Sequence, residues 1–186
     1  MAEITAVELL DRYDAGERDF RGLNLSGLEF FGSIMGRRNF IAKGADFSRA
    51  NMSKCIFTAS NFSFRGGIFR NVDFTGAVFS DTSILDCDMS FANFTGANFG
   101  ESSSLRVNFE GANFTKAVFF QSGISESVVT EAIFREAKME ESGPGDGKLT
   151  RVDFTGARMF DLDIGRRKVI FDQTIMPDGS IRTDTP

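Results

Sequence analysis

A period of five runs through this chain, and it restricts the fold more than any other feature. From Phe69 an apolar residue recurs at Phe74, Phe79, Ile84, Met89, Phe94 and Phe99. The series resumes through Phe109, Phe114, Phe119, Ile124, Val129, Phe134 and Met139, interrupted only by Ser104. Two residues before a centre stands a small residue, among them Ala77, Cys87, Ala92, Ala97, Ala112, Ala117, Ala132, Ala137 and Ala157. The remaining positions are mostly Asn, Asp, Ser, Thr, Gly, Arg or Glu. Such a period matches neither the helical repeat of about 3.6 residues nor the alternation of a half-buried strand, and it fits a coil with several equivalent sides.

The segments NFTGANF, DFTGAVF, DFSRANM, NFEGANF and DFTGARM resemble the A-(N/D)-(L/F)-x-x unit of the pentapeptide-repeat family, in register over residues 18–176. The Phe-rich centres, the opening ELLDRYDAGERDF and PDGS near the end look most like cyanobacterial members. The resemblance implies an all-β solenoid, a right-handed quadrilateral β-helix with four pentapeptides per turn. In that fold the centre and the small residue two before it point inward and the other three outward. About seven to eight coils are expected.

The interruptions support a fourfold count independently. The seven-residue steps Phe40 to Phe47, Phe62 to Phe69 and Ile164 to Phe171 all fall, counting in fours, between the fourth side and the next first side. The odd centres Ser104 and Pro144 land on the fourth side too, and Leu105 is expected to turn inward in place of Ser104. Stacked columns follow: a second side of Phe30, Met52, Phe74, Phe94, Phe114, Phe134, Phe154 and Met176, and a third of Met35, Phe57, Phe79, Phe99, Phe119, Met139 and Met159. Most of the 22 Phe thus serve as core, where stacked rings bury apolar area.

A solenoid needs its ends covered. Residues 1–17 are expected to form an N-terminal capping helix, with Thr5 and Glu8 spaced as a capping box and Gly16 as the stop. Residues 18–176 form the solenoid, and residues 177–186 a polar, frayed tail that leaves the C-terminal coil open, a possible homodimer contact.

Composition narrows the function. With a net charge of −5 and no His, the chain offers no electrostatic reason to bind nucleic acid or an anionic membrane directly. It has no long apolar span and no secretory leader, and its two cysteines, Cys55 and Cys87, suit a reducing compartment, so a cytoplasmic location is expected. SGPGDGKLT at residues 142–150 lacks the first Gly and the final Ser or Thr of a phosphate loop and reads as a surface loop. The Asn-x-Ser/Thr triplets at Asn51, Asn61, Asn93 and Asn113 arise from the repeat itself. Without His or a desolvated pocket, no catalytic, cofactor or metal residues are assigned, and the chain is expected not to be an enzyme.

The candidate sites are therefore on the surface. One outward column, two residues after the third-side centres, reads Asp81, Glu101, Gln121, Glu141, Asp161, an acidic ridge. Phe120 and Phe160 fall on outward positions two coils apart, while Cys55 and Cys87 sit inward on different sides and are expected to be inert. The leading expectation is a rigid scaffold for an unidentified protein partner. The alternative, implied by the resemblance, is an acidic DNA mimic that binds or protects a type II topoisomerase such as DNA gyrase. The acidic middle of the chain is compatible with it, and Arg37, Arg38, Arg166, Arg167 and Lys168 at the flanks count against it.

Overall fold

Each repeat ends in a corner whose geometry its own residues supply. The computed structural model describes residues 2–30, 40–58, 62–140, 143–144, 147–160 and 169–184. On the first and second sides an Asn or Asp before the apolar centre accepts the backbone N–H two residues on, as Ser53 donates to Asn51 at 3.0 Å, Thr75 to Asp73 at 2.9 Å and Thr95 to Asn93 at 3.1 Å. The Thr75 and Thr95 hydroxyls donate to the same oxygens at 2.6 Å. These are Asx turns, in which a short polar side chain replaces a backbone acceptor. The residue two beyond the centre then takes a positive φ, at Gly76 (64°) and Gly96 (66°) but also at Arg49 (63°), Phe91 (58°) and Lys116 (60°). The next N–H closes the turn, Ala77 donating to the Phe74 carbonyl at 2.9 Å. The Asn51, Asn93 and Asn113 oxygens are thus corner acceptors.

The third and fourth sides are short parallel strands, stacked in a seven-stranded sheet from Glu29–Phe30 to Arg158–Phe160 and a six-stranded sheet from Phe40–Ile41 to Gly143–Pro144. Together these sides close a quadrilateral β-helix. Its third-side register runs Phe79, Phe99, Phe119, Met139, Met159, each centre paired with the next. Rings inside stack nearly parallel, Phe94 on Phe114 at 4.8 Å and Phe114 on Phe134 at 4.7 Å, with Phe79 on Phe99 at 4.8 Å in the neighbouring column. Between columns they meet edge to face, as Phe109 does Phe114 at 5.3 Å. Both arrangements suit the ring quadrupole.

The regular solenoid is shorter than the expected seven to eight coils, and about five turns keep the twenty-residue repeat, through Val78, Asn98, Val118, Lys138 and Arg158. Earlier rungs pair at wider offsets, Glu29 with Ile56 and Ile56 with Val78.

The position of the insertions is also corrected. Ile41 pairs with Ser63 and Ser63 with Ser83, so Ala42, Phe64 and Ile84 share the fourth-side column, all fully buried. The centres are thus Ala42 and Phe64, two residues beyond Phe40 and Phe62, and the extra residues of these two steps fall between the third and fourth sides, while Ile164 lies outside the described residues. Two phenylalanines two residues apart satisfy the hydrophobic pattern equally well. The choice is made by the ring that meets Phe57 at 4.9 Å and Phe69 at 5.2 Å, and by Gly44 (74°) and Gly66 (69°), which supply the corners two residues beyond Ala42 and Phe64. In the first coil Phe30 pairs with Phe57 and so belongs to the third column, while Asn24 bridges to Asn51 and puts Leu25 in the second. Met35 lies outside the described residues.

Ser104 stays buried, and Leu105 pairs with Leu85 on the outside instead of turning inward. A hydroxyl is tolerated there because the fourth side is lined with others. Thr82 donates to the Phe57 carbonyl at 3.1 Å and Ser102 to that of Phe79 at 2.8 Å. The repeat segment at Gly147–Thr150 likewise proves to be a strand paired with Val169–Asp172, not a loop, and Leu149 is buried.

Both ends are covered. The helix Ala6–Asp14 opens with the Thr5–Glu8 capping box and buries Ala6, Leu9 and Leu10 in the cluster that contains Phe20 and Leu25. At the other end the tail is ordered through Asp184. Thr174–Ile175 pairs antiparallel with Ile181–Arg182, Asp184 N–H donates to the Phe171 carbonyl at 2.8 Å, and the Arg182 guanidinium lies 4.2 Å over the Phe171 ring. The last coil exposes backbone groups that need partners, and the turn at Pro177–Ser180 returns the chain to provide them.

Replacing Phe114 by Ala removes a ring stacked on both sides and is expected to cost about 3–5 kcal/mol in a urea melt. Phe64→Ala is expected to fall in the same range; a loss under about 0.5 kcal/mol at Phe64 would place that side chain outside the core.

Candidate functional site

With the interior filled, chemistry is available only at the outward positions, and the third side offers the most varied set. Asp81, Glu101 and Gln121 occupy successive corners with φ of 52°, 52° and 48°. The Asp81 N–H donates to the Gly100 carbonyl at 3.2 Å and the Glu101 N–H to that of Phe120 at 2.9 Å, which holds the corners one above another. All three are exposed, and neither Asp81 nor Glu101 has an ion-pair partner among the described residues. Glu141 and Asp161 lie outside the described residues, so the ridge is established only over its first corners.

Phe120 is 43% exposed and immediately precedes the Gln121 corner, its backbone in register with Gly100. The aromatic and the acidic corners, two separate candidates in the sequence, therefore share one edge of the third side. The backbone of Phe160 pairs with Glu140 two rungs from Phe120; its side chain is outside the described residues.

Several other carboxylates in and beyond the acidic middle are neutralised by cations on adjacent rungs. Asp86 accepts from Arg106 at 2.7 Å and lies 3.7 Å from Arg65, and the Arg106 hydrogen bond holds its carboxyl below the usual range. Burial would raise Asp153, but hydrogen bonds from Thr155 and Arg135 outweigh it and hold its carboxyl low. Asp88 with Arg70, Glu131 with Arg151 and Glu136 with Lys116 complete the pattern.

Sequence reasoning missed the cations of the third side. Lys138 and Arg158 each stand one residue before a third-side centre, twenty apart, and with Lys116, Val118, Glu136 and Gly156 they line an open groove of about 430 Å³. The signal was present in the twenty-residue spacing. It is lost when charge is tallied along the chain instead of by column.

No cluster of three or more His, Cys, Asp or Glu able to hold a metal occurs among the described residues. No described helix is long and apolar enough to cross a membrane. Cys55 and Cys87 are free and buried; the Cys55 thiol donates to the Leu25 carbonyl at 3.0 Å and that of Cys87 to the Phe64 carbonyl.

A family model described as pentapeptide repeats matches in eight copies, over residues 38–63, 63–99 and 87–122. Similar solved structures include HetL, a pentapeptide repeat protein involved in heterocyst differentiation regulation from the cyanobacterium Nostoc sp. strain PCC 7120. It is 19% identical, with 97% of this chain and 100% of that one covered and a TM-score of 0.31. Rfr23 from the cyanobacterium Cyanothece 51142 is 20% identical over 76% of this chain and 96% of that one, TM-score 0.40. QnrB1, a plasmid-mediated fluoroquinolone resistance protein, is 19% identical over 84% of this chain and 86% of that one, TM-score 0.39. A search of curated proteins gives no match.

Burial pushes the Cys55 thiol up to about 12 and that of Cys87 up to about 11, so both stay neutral when folded. A thiol reagent is expected to label neither until the protein unfolds. Because the folded values are raised, the contribution of these thiols to stability is complete below the ordinary value of 9.0 and declines as pH rises through 11 to 12. Melts of Cys55→Ala and Cys87→Ala against wild type over that range check the window.

Proposed function

Since the chain is a pentapeptide-repeat protein, we propose that it is a non-catalytic scaffold that binds another protein through the outer surface of its third side. One observation carries this reading. The half-exposed Phe120 stands beside the unpaired carboxylates of Asp81 and Glu101, on a rigid sheet whose inward positions are all used for packing. An exposed aromatic flanked by charge is the composition of an interface anchor, and a backbone ordered before binding reduces the entropy cost of association.

An acidic DNA mimic would need carboxylates arrayed like phosphates along the rod. The arginine pairs at Asp86, Asp88, Glu131 and Asp153 break that array, which favours the general scaffold over the mimic.

Asp81→Asn with Glu101→Gln is expected to leave the melting temperature unchanged or slightly higher, because two exposed, stacked like charges pack nothing. Affinity capture with the wild-type chain should recover a partner that is lost with Phe120→Ser and weakened, with a shallower salt dependence, by the double neutralisation. Equal recovery by all three proteins would refute the assignment to this edge. Inhibition of DNA gyrase by the wild type, abolished by the neutralised variant, would favour the mimic instead.

A further inference from the structure

The third side carries its charge in columns. Corner residues Asp81 and Glu101 form a negative margin, Phe120 lies inside it in a column that continues to Glu140, and across the strand the outward column reads Val78, Asn98, Val118, Lys138, Arg158. Lys138 and Arg158 are direct partners on adjacent parallel strands, where like charges are destabilising. Arg106, Arg135 and Arg151 each bind a carboxylate of a neighbouring rung, yet neither Lys138 nor Arg158 has an ion-pair partner among the described residues. Lys116 completes the cluster at the next corner, 3.7 Å from Glu136, with both side chains largely exposed. Gly156, with a φ of 68°, keeps the upper end of the groove open, and the Glu136 side chain is the closest atom group over it. The groove thus presents three cations to one carboxylate, with an apolar floor at Val118.

Resting on the reading of this side as an interface, we propose that the groove formed by Lys116, Val118, Lys138 and Arg158 binds an extended acidic segment of a partner protein, carboxylates facing Lys138 and Arg158 and an apolar residue facing Val118 and Phe120. Lys138 and Arg158 stand one rung apart, about 4.8 Å, and their long side chains can splay to meet carboxylates two residues apart on one face of an extended chain, about 6.8 Å. A nucleic acid would also favour cations beside an aromatic, but a continuous polyanion crossing this side would meet Asp81 and Glu101. A segment with its own charge order would not, and the order along successive rungs, Asp81 and Glu101, then Val118 and Phe120, then Lys138 and Arg158, would fix its direction.

The test uses the full chain and a fluorescein-labelled peptide that repeats Glu-Ser-Glu-Ser-Leu-Ser, so that carboxylates and Leu share one face when it is extended, read by anisotropy at low salt. Binding is expected, weakening with salt, and reduced about tenfold or more by Lys138→Glu with Arg158→Glu. The charge-matched control Lys43→Glu with Lys54→Glu, remote from the groove, should leave it unchanged. Lys138→Glu alone places opposite charges on adjacent strands, so its melting temperature should hold or rise while binding falls, which separates a binding role from a folding one. No binding of the peptide, or equal binding by the groove variant, overturns the proposal. So does tighter binding of labelled single-stranded DNA that depends on the same two cations, and so does concentration-dependent self-association lost in the groove variant. If the peptide fails while affinity capture still yields a partner sensitive to Phe120→Ser, the scaffold reading survives and only the acidic segment is wrong.

Discussion

Hydrogen bonding between successive coils imposes a spacing of about 4.8 Å, and almost every other feature of the molecule answers to it. Aromatic rings on consecutive rungs must lie one coil apart, and their centroids do, at 4.7–5.0 Å in the second column from Phe74 to Phe134. That distance is too long for rings placed directly face on face and right for offset stacking, so the backbone ladder and the aromatic ladder favour the same geometry. The inward small residues follow as well. Two positions of each unit share the interior, and a large centre leaves room for a small or modest residue beside it, as at Ala77, Thr82, Cys87, Ser102 and Val107.

The same spacing brings outward charges into contact between rungs, and the chain handles this in two ways. Where columns alternate in sign, an arginine reaches the carboxylate one rung away, as Arg106 reaches Asp86 and Arg151 reaches Glu131. Where they do not, at Asp81 with Glu101 and at Lys138 with Arg158, like charges stand stacked. Asp19 and Asp46 are stacked too, on the first side, but share Arg21, whereas the two pairs with no ion-pair partner among the described residues lie on the third side, to either side of the Phe120 rung. A fold that gives every surface position the same backbone environment makes such departures from pairing a guide to where a partner would sit.

The core columns from Phe69 to Phe154 were legible because a single apolar residue recurs there without competition. Legibility ends where two residues satisfy the same pattern. Phe62 and Phe64 both fit a hydrophobic period, and the corner glycine Gly66 was the local signal that decides between them, a signal overlooked when only apolar centres are counted. Leu105 next to Ser104 misleads for the same reason. Apolar character predicts burial on average, but the fourth side already accepts the hydroxyls of Thr82 and Ser102 by giving them carbonyl partners. The tail from Pro177 is polar and reads as frayed, yet it is held by backbone groups of the last coil, which no property of its own residues announces.

What the sequence by itself determined is the repeat, the fourfold coil, the inward and outward assignment over the regular turns, and the N-terminal helix with its capping box. All of these depend on interactions within five residues or on identical residues twenty apart, and both are visible in a string of letters. Only the tertiary structure decided which corner absorbs the insertions, how the C-terminal coil is closed, which carboxylates are neutralised, and that Phe120, the acidic corners and the Lys138–Arg158 pair share one side. Those outcomes depend on which surfaces meet across a rung, and a charge or a ring acquires its neighbours only when hydrogen bonding has set the register.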